Sequence, residues 1–151
     1  MKPKISISIV SHAQGNLVGP LISDLIRHCR NEPIEVLLTL NIPENLPFRP
    51  EHQPFPLRIL ENASPLGFSA NHNKASAEAK GTFFCVLNPD VRLRQNPYTQ
   101  LLSFLENPNI GVIAPQVLNS AGENENNSRN FPTPFEIAGK LFGRTSAKQE
   151  T

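Results

Sequence analysis

Two strand-like segments flank an amphipathic helix near the start of the chain, and this order restricts the fold more than any other feature of the sequence. Residues 5–10 (ISISIV) alternate isoleucine with serine, and residues 34–40 (IEVLLTL) form a nearly continuous apolar run. Between them, apolar residues recur at helical spacing from Leu17 to Cys29, with Asn16 as the predicted helix cap. Because nearly continuous apolar strands are covered on both faces, this order predicts a parallel strand pair within an α/β sheet.

The remainder of the chain continues the alternation of strands and helices. The predicted elements are strands at residues 57–60, 82–87 and 111–118, and helices at residues 69–80 and 97–106. Gly81 is the predicted stop of the first of these helices, and a further helix is predicted to begin at Pro134. We therefore predict a three-layer α/β/α sandwich with a mainly parallel sheet, formed by a domain at residues 1–118 and followed by a polar loop and a further segment at residues 119–151.

Charge and cysteine content narrow the classes of function. Fourteen basic residues against thirteen acidic residues give a formal net charge of +1, which does not favour binding to nucleic acid or to an anionic membrane. Cys29 and Cys85 are far apart and in apolar surroundings, so we expect reduced, buried side chains. The sequence shows no signal peptide and no apolar stretch of membrane-spanning length, so a cytoplasmic location is expected, or a peripheral one at the inner face of the membrane.

The segment Leu87-Asn88-Pro89-Asp90 places an amide, a proline and a carboxylate directly after a predicted buried strand. Ligands of parallel α/β sheets bind beyond the carboxyl ends of the strands. A carboxylate there suits a hard divalent cation such as Mg²⁺ or Mn²⁺. The alternative is an ordinary turn, since all three residues are common in turns. Ser11-His12 and Asn41 follow two other predicted strands, which favours a shared site at that edge.

A second motif, Leu66 to Ala75 (LGFSANHNKA), brings Gly67 to the start of a helix whose first turns carry several polar residues. The free N–H groups of a helix start favour phosphate, and Asn73 can donate and accept hydrogen bonds as a base or ribose requires. Alternatively, Ser69 and Asn71 only cap the helix. His72 has no partner at metal-ligand spacing, so a catalytic role for it is not favoured.

Several common enzyme classes lack their motifs here. The sequence contains no GxSxG nucleophile elbow, no GxxxxGK[ST] phosphate loop and no GxGxxG after the first strand. A serine hydrolase, a P-loop nucleotidase and a dinucleotide-binding dehydrogenase are therefore not favoured.

Three segments in this order resemble family 2 glycosyltransferases, of the rhamnosyltransferase-like subgroup. They are ISISIVSHAQGNLVGPLISDL, LGFSANHNKASAEAKGTFFCVLNPDVRL and GVIAPQVLNSAGENENNSRNFPTP. The resemblance implies a GT-A fold that binds a nucleotide-diphospho-sugar and an inverting transfer to an acceptor hydroxyl, as in cell-surface polysaccharide synthesis. It also implies that Ser11 and His12 line the nucleotide and that Asn73 contacts the base or ribose. With the candidates at the strand ends and the helix start, the predicted donor-binding residues are Ser11, His12, Asn41, Gly67, Asn73, Asn88 and Asp90.

The resemblance further implies that Asp90 holds a divalent metal, Mg²⁺ or Mn²⁺. The implied partners are a UDP- or dTDP-sugar donor and an acceptor glycan or lipid-linked sugar, and self-association of the chain stays open. Asn88 stands where many members carry the first Asp of a DxD motif.

Two departures from the family pattern bear on function. Asn41 stands where members usually carry an Asp that binds the nucleobase. The Glu-Asp segment with the catalytic base lies in the family well beyond the Phe-Pro-Thr-Pro stretch, which here is residues 131–134 of 151. We therefore expect a C-terminally truncated GT-A domain with no catalytic residue of its own and with weak or no transfer. The alternative is a non-catalytic module that binds a nucleotide sugar or a protein partner.

Overall fold

Four parallel strands form one sheet in a computed structural model that describes residues 2–125, 133–135 and 137. The strands are β1 (Ile5–Ser11), β2 (Ile34–Leu40), β3 (Leu57–Glu61) and β4 (Phe83–Val86), and the helices are α1 (Gly15–Cys29), α2 (Phe68–Glu78) and α3 (Tyr98–Leu105), with a short 3₁₀ turn at Pro50–His52. The strand order is β3-β2-β1-β4, and every pairing is parallel. The predicted α/β fold with a parallel sheet is confirmed.

The isoleucines of β1 face one side of the sheet and form the apolar core there. Ile5, Ile7 and Ile9 are almost fully buried, and they pair in register with Ile34, Val36 and Leu38 of β2. The same cluster includes apolar side chains of α1 and α3. Burial of this face is the main stabilising contribution to the fold, at roughly 25 cal/mol for each Å² of apolar surface removed from water.

The serines of β1 face the opposite side and are paired there with polar side chains. The Ser6 Oγ donates a hydrogen bond to Glu35 Oε1 at 2.6 Å, and the Ser8 Oγ lies 2.8 Å from His72 Nδ1 on α2. Ala75 of α2 is also fully buried. Helix α2 therefore covers the face opposite to α1 and α3, so the sheet lies between two helical layers.

The start of α1 differs from the prediction. The helix begins at Gly15, its cap position is Gln14, and no side chain caps it. Ala13 adopts a left-handed φ of 58°, so the chain enters the helix sooner after β1 than the apolar spacing indicated. Asn16 therefore lies inside the first turn, and its predicted role as the helix cap is wrong.

The predicted stop of α2 at Gly81 is also wrong. The helix ends at Glu78, and Ala79 already has an extended backbone. A Cβ atom at position 81 would lie 2.6 Å from the Ser6 backbone nitrogen and 2.7 Å from the Ile5 carbonyl carbon. Gly81 is thus needed for the close approach of the chain to β1 rather than for ending the helix.

Residues 111–117 form no strand, contrary to the prediction. Leu118 makes one isolated antiparallel bridge with Asn124, and Val112 is 89% exposed. Pro115 has no N–H to donate to a ladder, which weakens any strand through this segment. Residues 134, 135 and 137 are helical, as the prediction of a helix from Pro134 requires, and the rest of that predicted helix lies outside the described residues.

Two compact units divide the chain, Met1–Ile113 and Ala114–Thr151. The sheet and its three helices belong to the first unit. The predicted boundary between residues 118 and 119 stays a prediction. Among the described residues, no helix has both the length and the apolar character that crossing a bilayer requires.

Gly81→Ala should destabilise the protein by about 1–3 kcal/mol, because the added methyl group meets the β1 backbone, which cannot move aside as a flexible side chain can. Urea unfolding of the variant and the wild type measures the difference. Gly111→Ala is the matched control, because a Cβ at that position meets no atom within 4 Å. Equal unfolding free energies for the two variants would contradict the close-approach explanation.

Candidate functional site

A cleft of about 340 Å³ opens beyond the carboxyl ends of β1, β2 and β4. β1 lies between β2 and β4, so the chain winds in opposite directions from β1, and ligands of open parallel sheets bind at such a switch point. The cleft is lined by Val10, His12, Gln14, Asn41, Leu66, Phe68, Asn71, His72, Asn88, Pro89 and Asp90.

The seven residues predicted to bind a donor are only partly brought together. Those that line the cleft are His12, Asn41, Asn88 and Asp90. Ser11 is buried, and its Oγ accepts a hydrogen bond from the Gln14 N–H at 3.2 Å. Gly67 precedes α2, and Asn73 is exposed on that helix. These three residues are not among those that line the cleft.

Asn41, at the end of β2, holds the loop before α2 with both atoms of its amide. Its Oδ1 accepts from the Leu66 N–H at 2.8 Å, and its Nδ2 donates to the Leu66 carbonyl at 3.0 Å. The same Nδ2 donates to His12 Nδ1 at 3.1 Å, and Oδ1 also accepts from Asn62 and Asn71. An amide has two N–H donors and one carbonyl acceptor, so the hydrogen-bonding groups of Asn41 are engaged within the protein.

Asn71 is the second member of this amide cluster, which we define as Asn41, Asn62 and Asn71. It is 1% exposed, and its Nδ2 donates to the carbonyls of Leu66 and Gly67 at 3.0 and 3.2 Å. Its Oδ1 accepts from Asn62 Nδ2 at 2.6 Å. The cluster fixes the position of the loop that brings Leu66 and Phe68 to the cleft.

The two histidines of the cleft differ in their exposure and in their hydrogen bonds. His12 is exposed, and because its Nδ1 accepts from Asn41, the proton of the neutral ring is on Nε2. His72 is 6% exposed and packs edge-to-face on Phe68 with the ring centroids 4.5 Å apart. Its Nδ1 pairs with Ser8, and among the described residues its Nε2 makes no hydrogen bond. Burial lowers the pKa of His72, so the neutral ring is favoured.

The Asn88-Pro89-Asp90 turn presents an unpaired carboxylate to the cleft. Asn88 and Asp90 are exposed, and the Val91 N–H donates to the Asn88 carbonyl at 3.3 Å. Asp90 has no hydrogen bond or ion pair with any other described residue. No three acidic, histidine or cysteine side chains in the described part of the chain form a cluster that could hold a metal by themselves.

Arg92, two residues beyond Asp90, forms an ion pair with Asp24 of α1. Its Nε and Nη2 donate to Asp24 Oδ2 and Oδ1 at 2.7 and 3.0 Å, and the Leu93 N–H donates to Oδ2 at 3.0 Å. The hydrogen bonds from Arg92 lower the pKa of the Asp24 carboxyl, although burial opposes them.

Several residues of the site did not stand out in the sequence. The sequence pattern indicates Asn71 only as a helix cap, does not favour a catalytic role for His72, and contains no signal for Asp24, which lies outside the cleft. One signal was present: serines alternate on a central strand, and buried hydroxyl groups require partners. That requirement points to polar side chains on the covering helix, such as His72.

A sequence profile of the family described as Glycosyl transferase family 2 matches residues 6–149 of the chain. No curated protein matches the chain.

His72→Gln should reduce the pH dependence of stability below neutrality. Burial lowers the pKa of His72 in the folded state, so the unfolded chain binds the proton more readily. The contribution of His72 to the free energy of unfolding is therefore complete above its pKa in the unfolded chain, about 6.5. It is lost as the pH falls toward the pKa of His72 in the folded protein.

Urea unfolding at pH 5 to 8 measures this effect. The wild type should lose more unfolding free energy than the variant below pH 6.5. Between pH 7 and 8 the difference between the two proteins should be constant, which serves as the internal control. If the unfolding free energies of the two proteins changed in parallel over the whole pH range, this would contradict the assignment of the pH dependence to His72.

Proposed function

The chain belongs to glycosyl transferase family 2, and on that basis we propose that its cleft binds the nucleoside diphosphate part of a sugar donor. The donor we propose is a UDP- or dTDP-sugar, bound together with Mg²⁺ or Mn²⁺. The reaction served is an inverting transfer to the hydroxyl of an acceptor glycan or lipid-linked sugar. The observation that carries this proposal is the Asp90 carboxylate, which no other described residue pairs with, in a cleft at the switch point of a parallel sheet.

The lining of the cleft suits the two parts of such a ligand. Leu66 and Phe68 are 40% and 59% exposed and offer apolar surface for a nucleobase or ribose, beside the rings of His12 and His72. Asn88 and Asp90 lie at the end of β4, where the diphosphate would be bound. Because the amide of Asn41 is engaged with Leu66 and His12, we propose that Asn41 supports these contacts and does not itself bind the base.

The oxygen ligands that the turn after β4 offers fit a divalent cation that is bound jointly with substrate. Mg²⁺ is commonly held by one or two carboxylates and takes its other ligands from substrate phosphates and water. Asp90 supplies one carboxylate, and the amide oxygen of the neighbouring Asn88 is a second oxygen donor. When bound, the cation would neutralise negative charge on the departing diphosphate.

The described residues of the cleft support a role in binding and orienting a donor more than a role in proton transfer. Among the described residues that line the cleft, Asp90 is the single carboxylate. If it acts as a metal ligand, these residues offer no second carboxylate to activate an acceptor hydroxyl. This observation favours a second candidate function, a module that binds a nucleotide sugar without transferring it. The two candidates share the donor site and differ in acceptor turnover.

Asp90→Ala should weaken Mn²⁺-dependent binding of UDP by about tenfold or more, because one charged contact contributes about 1.4 kcal/mol or more. Isothermal titration with UDP and with dTDP, each with Mn²⁺ and with EDTA, measures the metal-dependent part of the affinity. Glu51→Ala, which removes an exposed carboxylate of the 3₁₀ turn, is the control and should leave both affinities unchanged.

The titrations also separate the remaining alternatives. The absence of nucleotide binding by the wild type would contradict both candidate functions. Where binding is established, turnover of an acceptor distinguishes transfer from simple binding.

A further inference from the structure

A buried carboxylate outside the cleft makes its contacts with the segment that carries Asp90. Asp24 is 5% exposed on α1, between Leu21 and Leu25, which are fully buried. A charged group in such a place is costly unless it is paired and hydrogen-bonded. Its hydrogen-bond partners among the described residues are Arg92 and the N–H of Leu93.

The geometry of this pairing is specific to arginine. Arg92 donates through Nε and Nη2 to the two different carboxylate oxygens, at 2.7 and 3.0 Å. Such a two-point contact fixes direction as well as distance. The Leu93 N–H adds a backbone hydrogen bond at 3.0 Å, so both the side chain and the backbone of residues 92–93 are tied to α1.

The turn between these anchors has few other hydrogen bonds. On the β4 side, the Leu87 N–H donates to the Ser8 carbonyl at 3.0 Å, and within the turn the Val91 N–H donates to the Asn88 carbonyl at 3.3 Å. No other hydrogen bond from a described residue reaches residues 88–93. Leu87 and Leu93 at the two ends of the turn also pack against the core. The hydrogen bonds that hold the turn therefore come from the sheet on one side and from Asp24 on the other.

We propose that Asp24 is a positioning residue, which holds the 88–93 turn through Arg92 and Leu93 so that the Asp90 carboxylate stays at the cleft. The metal-related part of this inference rests on the proposed function. Groups that orient the ligands of a metal typically change its affinity by about 10–100-fold when they are removed. Asp24 is not among the residues that line the cleft, so its effect on Asp90 would be exerted through the turn.

Asp24→Asn is the variant that tests the ion pair most specifically. It keeps the shape of the side chain and one oxygen for the Leu93 N–H, but it loses the charge and the second oxygen that Arg92 requires. Arg92→Gln removes the other partner at a side chain that is 62% exposed, so the test remains valid if the first variant fails to fold. Arg58→Gln is the matched control, because Arg58 pairs with the buried Glu35 and with Glu78, away from the turn.

Two measurements are made on the full chain. Hydrogen exchange of peptides that cover residues 87–93 reports the order of the turn without any ligand. Titration of UDP with Mn²⁺ and with EDTA reports the metal-dependent gain in affinity. We expect Asp24→Asn and Arg92→Gln each to speed exchange in the turn and to reduce the metal-dependent gain by about 10–100-fold. The metal-free affinity should stay within about twofold, and the double variant should behave like either single one.

The outcomes separate this inference from the proposed function. Unchanged exchange of residues 87–93 in both variants would overturn the positioning role, even if UDP and Mn²⁺ bind as proposed. Equal losses of metal-free and metal-dependent affinity, with faster exchange throughout the protein, would also overturn it, because they indicate general destabilisation. A wild type with no metal-dependent gain contradicts the metal site of the proposed function, and the exchange data then still decide whether Asp24 orders the turn.

Discussion

The alternation of isoleucine and serine along β1 is the constraint on which the rest of the structure depends. The isoleucines supply the apolar face that packs on α1 and α3, and the serines supply buried hydroxyl groups that must be paired. Ser6 is paired with Glu35, and Ser8 with His72 of α2. One strand thus determines which helices cover each face and brings a polar helix to the edge where the cleft opens.

The described residues at the cleft include some with free hydrogen-bonding groups and some whose groups are engaged within the protein. Among the described residues, neither the Asp90 carboxylate nor His72 Nε2 has a hydrogen-bond partner. Asn41 and Asn71 also line the cleft, but their amides hold the loop before α2, and Asp24, outside the cleft, holds the turn after β4. In the site that we propose, the free groups would meet the ligand and the engaged groups would keep the lining in place.

The residue pattern predicted the sheet, and the edge at which the cleft opens, better than it predicted the contacts among the residues of the cleft. Strand periodicity is local, so β1, β2 and their parallel pairing followed from the residue pattern, and Asn88 and Asp90 followed from the rule of strand ends. The Ser8–His72 and Asp24–Arg92 pairs join residues 64 and 68 positions apart. The alternating serines of β1 indicate that polar partners are needed, but no local pattern identifies which residues they are. The prediction of a strand at residues 111–118 is wrong, because apolar residues near Pro115 are exposed rather than buried.

We propose that the cleft at the ends of β1, β2 and β4 binds a nucleoside diphosphate with a cation on Asp90. A crystal structure of the chain grown with UDP and Mn²⁺ tests it most directly, because anomalous scattering locates the manganese independently of the nucleotide. We expect a manganese peak bonded to a carboxylate oxygen of Asp90 and to the diphosphate, with the uridine beside His12 and Phe68. Nucleotide bound elsewhere, or manganese bound away from Asp90, would contradict it.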